Sequence, residues 1–279
     1  MKHEEMQWQA KDGLPLYAQQ WEPDGEIKGV ICLVHGIGEH SGRYKDWAEK
    51  LTAAGYVVSA FDLRGHGKSG GQRGDTPSYD HYADDISILI EKAAERFTGK
   101  PLFLYGHSLG GVLVSYYLVQ RRPKLAGAII TSPGLRTAIE DQKVKVVLAR
   151  ILGSLLPTSA MSTGLEQDAL SRDPAVITDY QNDPLVHDKI SFRLGKQSLM
   201  AIDYIKAGAK NIDLPLLLMH GTADRIAYSS GSEELAKLVS GECTLKLCDG
   251  FYHELHNEPE KGEVFAYLKA WLDEKSQVS

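Results

Sequence analysis

Short apolar runs alternate with amphipathic stretches along most of this chain. The amphipathic stretches have helical periodicity at 44–54, 79–97, 109–121, 229–239 and 259–274. The apolar runs are rich in Leu and β-branched residues and end in Gly, Pro, Asp or His, as buried parallel strands do: 29–36, 56–62, 101–106, 125–133, 214–221 and, more briefly, 243–247. This alternation predicts an α/β fold with a mostly parallel, doubly wound sheet. Residues 14–21 ("LPLYAQQW") alternate instead and predict an antiparallel edge strand.

One long segment interrupts the alternation. About 80 residues separate the strand that ends near Ser132 from the strand that begins near Leu214, and a parallel crossover needs far fewer. This segment has helical patterns and no strand pattern. We therefore predict a core formed by 1–134 and 211–279, with 135–210 inserted as a helical cap. Residues 144–157 ("VKVVLARILGSLLP") are too apolar for a solvated helix; they either pack on the sheet or line a ligand pocket.

Composition and charge narrow the class of protein. The 279 residues suffice for one large α/β domain, and the formal net charge of −6 without a basic run argues against a nucleic-acid partner. The sequence has no apolar run of membrane-spanning length and no apolar signal core at its start, so we expect a cytoplasmic protein without stable membrane insertion. The sequence does not indicate the oligomeric state.

The three cysteines are not arranged as a metal site. Cys32, Cys243 and Cys248 are odd in number and lack metal-ligand spacing. We interpret them as buried thiols on strands. No metal site is expected.

Two segments match the pattern G-x-S-x-G. Ser108 follows the apolar run Leu102–Tyr105 and precedes a helical stretch, which is the strand–turn–helix setting of a catalytic serine. Ser69 lies between loop sequences ("GKSGG" followed by "QRGDTPS") and is interpreted as a loop residue. Ser108 is therefore the predicted nucleophile.

A serine nucleophile needs a histidine base that an acid orients. In this strand–turn–helix setting the chain order is serine, acid, histidine. Asp224 follows the strand at 214–221, and only His253 and His256 come after it. His253 lies directly after the candidate strand 243–247, whereas His256 is nearer the last helix. We predict Asp224 as the acid and His253 as the base, with His256 as the rival.

Acyl transfer also requires N–H donors for the developing oxyanion. The residue after the nucleophile, Leu109, supplies one backbone N–H. The loop "HGIG" at 35–38 follows the first buried strand, and Ile37 is the predicted second donor. His35 is interpreted as a histidine that holds this loop in place.

Several segments together carry a family resemblance: "HGIGEHSGRY" (35–44), "DLRGHGKSGGQRG" (62–74), "GHSLGG" (106–111), "YQNDPLV" (180–186), "GTADRI" (221–226) and "DGFYHELHNE" (249–258). They resemble the monoacylglycerol lipase and lysophospholipase-like branch of the α/β-hydrolases over about residues 10–275. The resemblance implies a cofactor-free carboxylic ester hydrolase with a helical cap, an acyl tunnel and an oxyanion hole at Ile37 and Leu109. Transient contact of the cap with a lipid surface is compatible with it. Leu109 and Ile37 differ from the mammalian-type pattern, but neither change removes a backbone donor.

The leading interpretation is a monoacylglycerol lipase that acts on a small lipid ester. A lysophospholipase or general carboxylesterase is the alternative, because one triad serves all three activities. A non-catalytic scaffold conflicts with the intact set of candidate catalytic residues. Acyl length and headgroup stay open.

The glycerol group of a monoester has hydroxyls that need partners. Four residues are candidates for contacting it. For Glu39 and Arg43 the favoured interpretation is a structural ion pair, and for Tyr180 and His256 it is glycerol contact.

Overall fold

The central element is a single twisted sheet. The structure is a computed structural model that describes residues 1–137 and 151–277. Within those residues, eight strands form this sheet, in the spatial order β1 (Lys2–Gln9), β2 (Pro15–Glu22), β4 (Tyr56–Phe61), β3 (Gly29–Val34), β5 (Leu102–His107), β6 (Gly127–Thr131), β9 (Leu216–Gly221) and β10 (Cys243–Cys248). The strands from β4 to β10 run parallel, whereas β1 pairs antiparallel with β2 and β2 antiparallel with β4. The predicted fold class is confirmed. The strand predicted at 14–21 is β2 and is antiparallel as expected, but β1 pairs along its outer side and occupies the edge of the sheet.

The strand and helix bounds match the sequence pattern closely. The helices that alternate with the strands are α1 (Lys45–Ala53), α2 (Tyr79–Arg96), α3 (Leu109–Arg121), α6 (Ser229–Leu238) and α7 (Lys261–Ser276). No range was predicted for β1, and each of the other elements lies within a few residues of its predicted range.

The helices cover both faces of the sheet and bury two apolar layers. One layer joins the sheet to α1 and α7 through residues such as Leu51 and Leu268. The other joins it to α2, α3 and α6 through residues such as Leu89, Leu113 and Leu235. Because both faces are covered, the parallel strands are apolar throughout and do not alternate, which is why the sequence shows them as continuous runs.

The segment between β6 and β9 holds α4 (Pro174–Asn182), α5 (Phe192–Gly208) and two short strands, β7 (Ala160–Ser162) and β8 (Lys189–Ser191). The two strands pair antiparallel, so the expectation of no strand there was wrong. The helix α5 buries Leu194 and Ile205 in the same layer as α2 and α3. The division into core and cap stays a prediction. Of the apolar stretch 144–157, residues 144–150 lie outside the described part of the chain.

Three segments attach this region to loops of the sheet domain. The N–H of His187 donates to the carbonyl of Gly38 at 2.9 Å, and the N–H of Ser191 donates to the carbonyl of Gly74 at 2.8 Å. The His40 imidazole lies 2.8 Å from the Asp183 carboxylate. A Cβ at Gly38 would lie 2.3 Å from the carbonyl oxygen of His187, so only glycine permits this approach.

Candidate active site

Ser108 occupies a strained turn between β5 and α3. Its φ of 54° and ψ of −116° lie where few non-glycine residues are found. The turn is held because the Ser108 N–H donates to the carbonyl of Thr131 on β6 at 3.0 Å. The side chain is thereby placed at the carboxyl edge of the sheet, and it is 8% exposed.

The two glycines of the G-x-S-x-G segment are required by close backbone approach. A Cβ at Gly106 would lie 2.4 Å from the carbonyl oxygen of Gly110. A Cβ at Gly110 would lie 2.1 Å from the carbonyl oxygen of Val34, the last residue of β3. Both distances are far below van der Waals contact, so any larger residue would displace the turn.

Three side chains form one chain of hydrogen bonds at this edge. The Nε2 of His253 lies 2.9 Å from Ser108 Oγ, and its Nδ1 lies 2.7 Å from Asp224 Oδ2. A carboxylate only accepts, so Nδ1 carries the proton and Nε2 is the acceptor for the serine hydroxyl. Asp224 follows β9 and His253 follows β10, which places the three residues together as their strand positions require.

The carboxylate of Asp224 is fixed by more than His253. Its Oδ1 accepts the N–H groups of Ile226 and Ala227 at 2.8 and 3.0 Å. Its Oδ2 lies 3.1 Å from Nε2 of His220, which also donates to the Ala227 carbonyl at 2.8 Å. Sequence reasoning set His220 aside because it precedes the acid in the chain. Its position four residues before Asp224, at the end of β9, is the sequence feature that could have identified it as a partner of the acid.

Electrostatics favour a charged acid and a basic histidine. Burial raises the pKa of Asp224, but the attraction of His253 and the hydrogen bonds from both histidines hold that pKa well below its ordinary value. Burial acts to lower the pKa of His253, and the Asp224 carboxylate more than reverses this and raises it. Burial strongly lowers the pKa of the neighbouring His107, so this residue stays uncharged beside His253.

The loop after β3, which is predicted to supply one oxyanion donor, lies against Ser108. Gly36 and Ile37 line a narrow cavity together with Ser108 and His253. Among the hydrogen bonds of the described residues, none uses the N–H of Ile37 or of Leu109. Leu109 is the first residue of α3, so its N–H has no partner within the helix.

A buried ion-pair cluster stands behind this loop. The Nη2 of Arg43 donates to both carboxylate oxygens of Glu254 at 2.7 Å, and its Nε donates to Glu39 Oε2 at 3.2 Å. Glu39 Oε1 also accepts the hydroxyl of Tyr44 at 2.8 Å. Burial raises the pKa of Glu39; for Glu254 burial acts the same way, yet Arg43 holds that pKa below its ordinary value. Sequence reasoning did not find Glu254, which carries no motif beyond its place after the base.

Tyr180 and His256 have different surroundings. Tyr180 lines the cavity at Ser108, and its ring packs under Arg43 with the guanidinium carbon 4.6 Å from the ring centroid. Tyr180 also lines a second, polar cavity of about 310 Å³ in the inserted segment. His256 is not among the residues lining the Ser108 cavity; its ring stacks on Tyr44 with centroids 4.6 Å apart. This stacking is the setting of a structural residue, and glycerol contact by His256 stays a prediction.

The remaining candidates have structural surroundings. Ser69 Oγ accepts the N–H of Tyr17 at 2.9 Å and donates to the carbonyl of Asp62 at 2.6 Å, which makes it a loop brace. Cys32 on β3 and Cys248 at the end of β10 are buried free thiols, and Cys243 is half-buried. Within the described residues, no group of three His, Cys, Asp or Glu side chains is arranged to hold a metal ion, and no helix has the length and apolarity to cross a bilayer.

Comparison with known proteins places this arrangement in a family. The Hydrolase_4 model, described as "Serine aminopeptidase, S33", matches residues 25–260. An uncharacterized abhydrolase domain-containing protein of Dictyostelium discoideum is 38% identical over 93% of this chain. The match covers only 28% of the length of that protein. The monoacylglycerol lipase of Mycolicibacterium smegmatis is 34% identical over 93% of each chain. The crystal structure of Paleococcus ferrophilus monoacylglycerol lipase aligns with a TM-score of 0.85 at 38% identity, over 93% of this chain and 99% of that one.

The family model covers well over half of the chain. The fold, the strained serine turn and the serine–histidine–aspartate hydrogen bonds agree with it. The chain therefore belongs to the Hydrolase_4 (serine aminopeptidase, S33) family and is a serine hydrolase with the α/β-hydrolase fold.

Proposed function

We propose that this enzyme hydrolyses monoacylglycerols to fatty acid and glycerol through an acyl-enzyme on Ser108. The observation that carries the proposal is the hydrogen-bond chain from Ser108 through His253 to Asp224. The similarity to two monoacylglycerol lipases supports the choice of substrate. The activity needs no cofactor.

The chemistry follows from the hydrogen bonds. Nε2 of His253 takes the proton of Ser108 Oγ as Oγ attacks the ester carbonyl carbon. The imidazolium that forms is stabilised by the Asp224 carboxylate and then gives its proton to the leaving glycerol oxygen. A water, deprotonated by the same histidine, then attacks the acyl-enzyme. The bond from the acyl carbon to Ser108 Oγ breaks, the fatty acid leaves, and His253 returns the proton to Oγ. Asp224 stays ionised throughout, because its pKa lies far below neutrality.

The oxyanion of each tetrahedral intermediate is assigned to the N–H groups of Ile37 and Leu109. Both are free of other partners among the described residues. Each such donor, aimed where charge develops, contributes about 10²–10³ in kcat. The donors are backbone atoms, so the departures from the mammalian-type side chains at these two positions leave the function intact.

The Tyr180 hydroxyl is the proposed partner of a glycerol hydroxyl. No hydrogen bond of the described residues uses it, and it lines both the Ser108 cavity and the polar cavity beyond. Glu39 and Arg43 are committed to the ion-pair cluster, which supports their bracing role. The polar cavity offers the departing glycerol a hydrophilic space.

The same cluster argues for esters over peptides. An aminopeptidase must bind the ammonium group of its substrate, for which a free carboxylate is the suitable partner. Of the groups lining the Ser108 cavity, the carboxylates of Glu39 and Glu254 both already bind Arg43. A neutral glycerol ester makes no such demand.

Transient contact with a lipid surface is also proposed. Several large apolar side chains of the inserted segment are exposed: Ile151, Leu155, Leu156, Met161, Met200 and Tyr204. Their clustering in one sequence segment suits a surface from which a lipid ester is taken up. The cytoplasmic location expected from the sequence stays a prediction.

A substrate panel tests the function. Purified enzyme is given 1- and 2-oleoylglycerol, trioleoylglycerol emulsion, oleoyl lysophosphatidylcholine, p-nitrophenyl butyrate and an aminoacyl naphthylamide, and released product is quantified. We expect the monoacylglycerols to have the highest kcat/KM of the lipid substrates. Faster turnover of lysophosphatidylcholine would replace the proposed substrate, and cleavage of the naphthylamide alone would overturn the esterase assignment.

The Tyr180 assignment has its own test. Tyr180→Phe should lower kcat/KM for oleoylglycerol by about two- to twelvefold, the worth of one hydrogen bond to a neutral hydroxyl, and leave p-nitrophenyl butyrate nearly unchanged. Tyr267→Phe, at an exposed tyrosine of α7, is the matched control. Equal losses on both substrates would show that Tyr180 supports the site without contacting glycerol.

A further inference from the structure

We propose that His35 and Glu39 are positioning residues that fix the direction of the oxyanion donor at Ile37. The inference rests on the proposed esterase function and adds to it the elements that aim the oxyanion hole. His35 lies at the end of β3 and Glu39 four residues later, and each holds one of the two peptide groups that flank Gly36.

The first constraint acts on the donor's own peptide group. His35 Nδ1 donates to the carbonyl oxygen of Gly36 at 2.7 Å. That carbonyl and the N–H of Ile37 belong to the same peptide unit, and in a trans unit they point in opposite directions. Holding the carbonyl toward the imidazole therefore turns the Ile37 N–H away from it. Gly36 and Ile37 line the cavity that contains Ser108, so the freed N–H has a ligand-accessible side to face.

The imidazole itself cannot turn. Its Nε2 accepts the N–H of Leu63, just beyond β4, at 2.9 Å, and the side chain is fully buried. One nitrogen must accept and the other must donate, so a single neutral tautomer satisfies both bonds. Burial also lowers the pKa of His35 to about 4, so this tautomer persists through the neutral range. The ring is thus a rigid link between the ends of β3 and β4 and the oxyanion peptide.

The second constraint acts on the preceding peptide group. Glu39 Oε1 accepts the N–H of Gly36 at 2.6 Å. The carboxylate is itself held by Tyr44 and Arg43. A Cβ at Gly36 would lie 2.8 Å from this oxygen and 3.1 Å from the Cβ of Ser108, so the loop has no room to relax sideways. With both flanking peptides held, the Ile37 N–H is set before substrate arrives, which is the condition for electrostatic stabilisation without reorganisation.

Two substitutions at position 35 separate positioning from simple core packing. His35→Asn keeps a donor at the place of Nδ1 and loses the acceptor for Leu63. His35→Gln keeps an acceptor at the place of Nε2 and loses the donor to Gly36. Each variant deletes one hydrogen bond of the same buried side chain, so the two should have similar melting temperatures.

The assay uses p-nitrophenyl butyrate and a trifluoromethyl ketone, whose tetrahedral adduct needs the oxyanion hole. His35→Gln should lower kcat by about 10- to 100-fold with KM within about threefold, and should raise the ketone Ki by a factor similar to the loss in kcat/KM. His35→Asn should lose no more than about fivefold in kcat. Equal losses in the two variants, or an unchanged Ki in His35→Gln, would overturn the inference.

A second pair covers the case in which a position-35 variant does not fold. Glu39→Leu removes the acceptor for Gly36 and should reproduce the joint change in kcat and Ki, whereas Glu39→Gln keeps an acceptor oxygen and should recover most of the activity. Failure of Gln to recover activity in a folded variant would count against positioning through this bond. Because the reporter ester has no glycerol, a different natural substrate would leave the result interpretable, and a wild-type enzyme inactive on every ester would instead refute the proposed function.

Discussion

Replacing Asp224 by Asn tests the acid of the triad with almost no change in shape. Oδ1 of Asp224 accepts two backbone N–H groups, from Ile226 and Ala227, so the asparagine oxygen must take that place. The amide NH₂ then faces His253 at the place of Oδ2. A donor there forces His253 to accept at Nδ1 and to carry its proton on Nε2, next to Ser108 Oγ. The histidine can no longer accept the serine proton.

The magnitude follows from this switch of tautomer. A triad whose histidine is locked with its proton on the wrong nitrogen loses about 10⁴-fold in kcat, or roughly 5.5 kcal/mol of transition-state stabilisation. Folding should change little. The new NH₂ group faces the Nε2–H of His220, so the hydrogen bond from His220 to residue 224 is lost, at a cost of about 1 kcal/mol. His220 still donates to the carbonyl of Ala227.

The assay is kcat on p-nitrophenyl butyrate, with melting temperature measured in parallel. Asp249→Asn is the matched control, because Asp249 is an exposed carboxylate beyond β10 that accepts a hydrogen bond from Thr222. The control should keep full activity. A folded Asp224→Asn enzyme with kcat within tenfold of wild type would refute the tautomer argument.

Three further predictions follow from the site. Ser108→Ala should abolish labelling by a fluorophosphonate. Ser69→Ala should keep kcat within a few-fold but lower the free energy of unfolding by about 1–3 kcal/mol, because two backbone groups lose a buried hydrogen-bond partner. Labelling that disappears only in the Ser69 variant would reverse the assignment. His253 acts as a base only when it is neutral, and its pKa is raised, so kcat/KM should rise with pH and reach half its maximum above pH 6.5. A midpoint below pH 6 would contradict this. Arg43→Met should cost about 3–5 kcal/mol in denaturant unfolding, because two buried carboxylates lose their cation; a loss below 1 kcal/mol would show that the cluster is not a brace.

The sheet and the three hydrogen-bonded residues of the proposed triad could be found from the sequence, because each leaves a local pattern there. A strand buried on both faces must be apolar throughout, and the turn at Ser108 must be flanked by glycines, since Gly110 approaches Val34 too closely for a side chain. The acid and base follow strands, so chain order and strand ends located Asp224 and His253.

Residues that act through non-local packing left no such trace. Glu254 pairs with Arg43 across 211 positions of the chain, and nothing in its neighbourhood distinguishes it from a surface glutamate. The strands β7 and β8 have three residues each and pair with one another, too short for any periodicity to appear. For His256, nearness in sequence to the base suggested a place in the cavity, but ring stacking on Tyr44 decides its orientation.

The distribution of the triad along the chain also makes catalysis a late event in folding. Ser108 and His253 are 145 positions apart, and they meet only when β5, β6, β9 and β10 have aligned in one register. Long-range pairings of this kind form slowly, because loop closure precedes any gain in contact energy. Recovery of ester hydrolysis in a refolding experiment therefore reports completion of the sheet, and it should lag behind the return of helical circular dichroism.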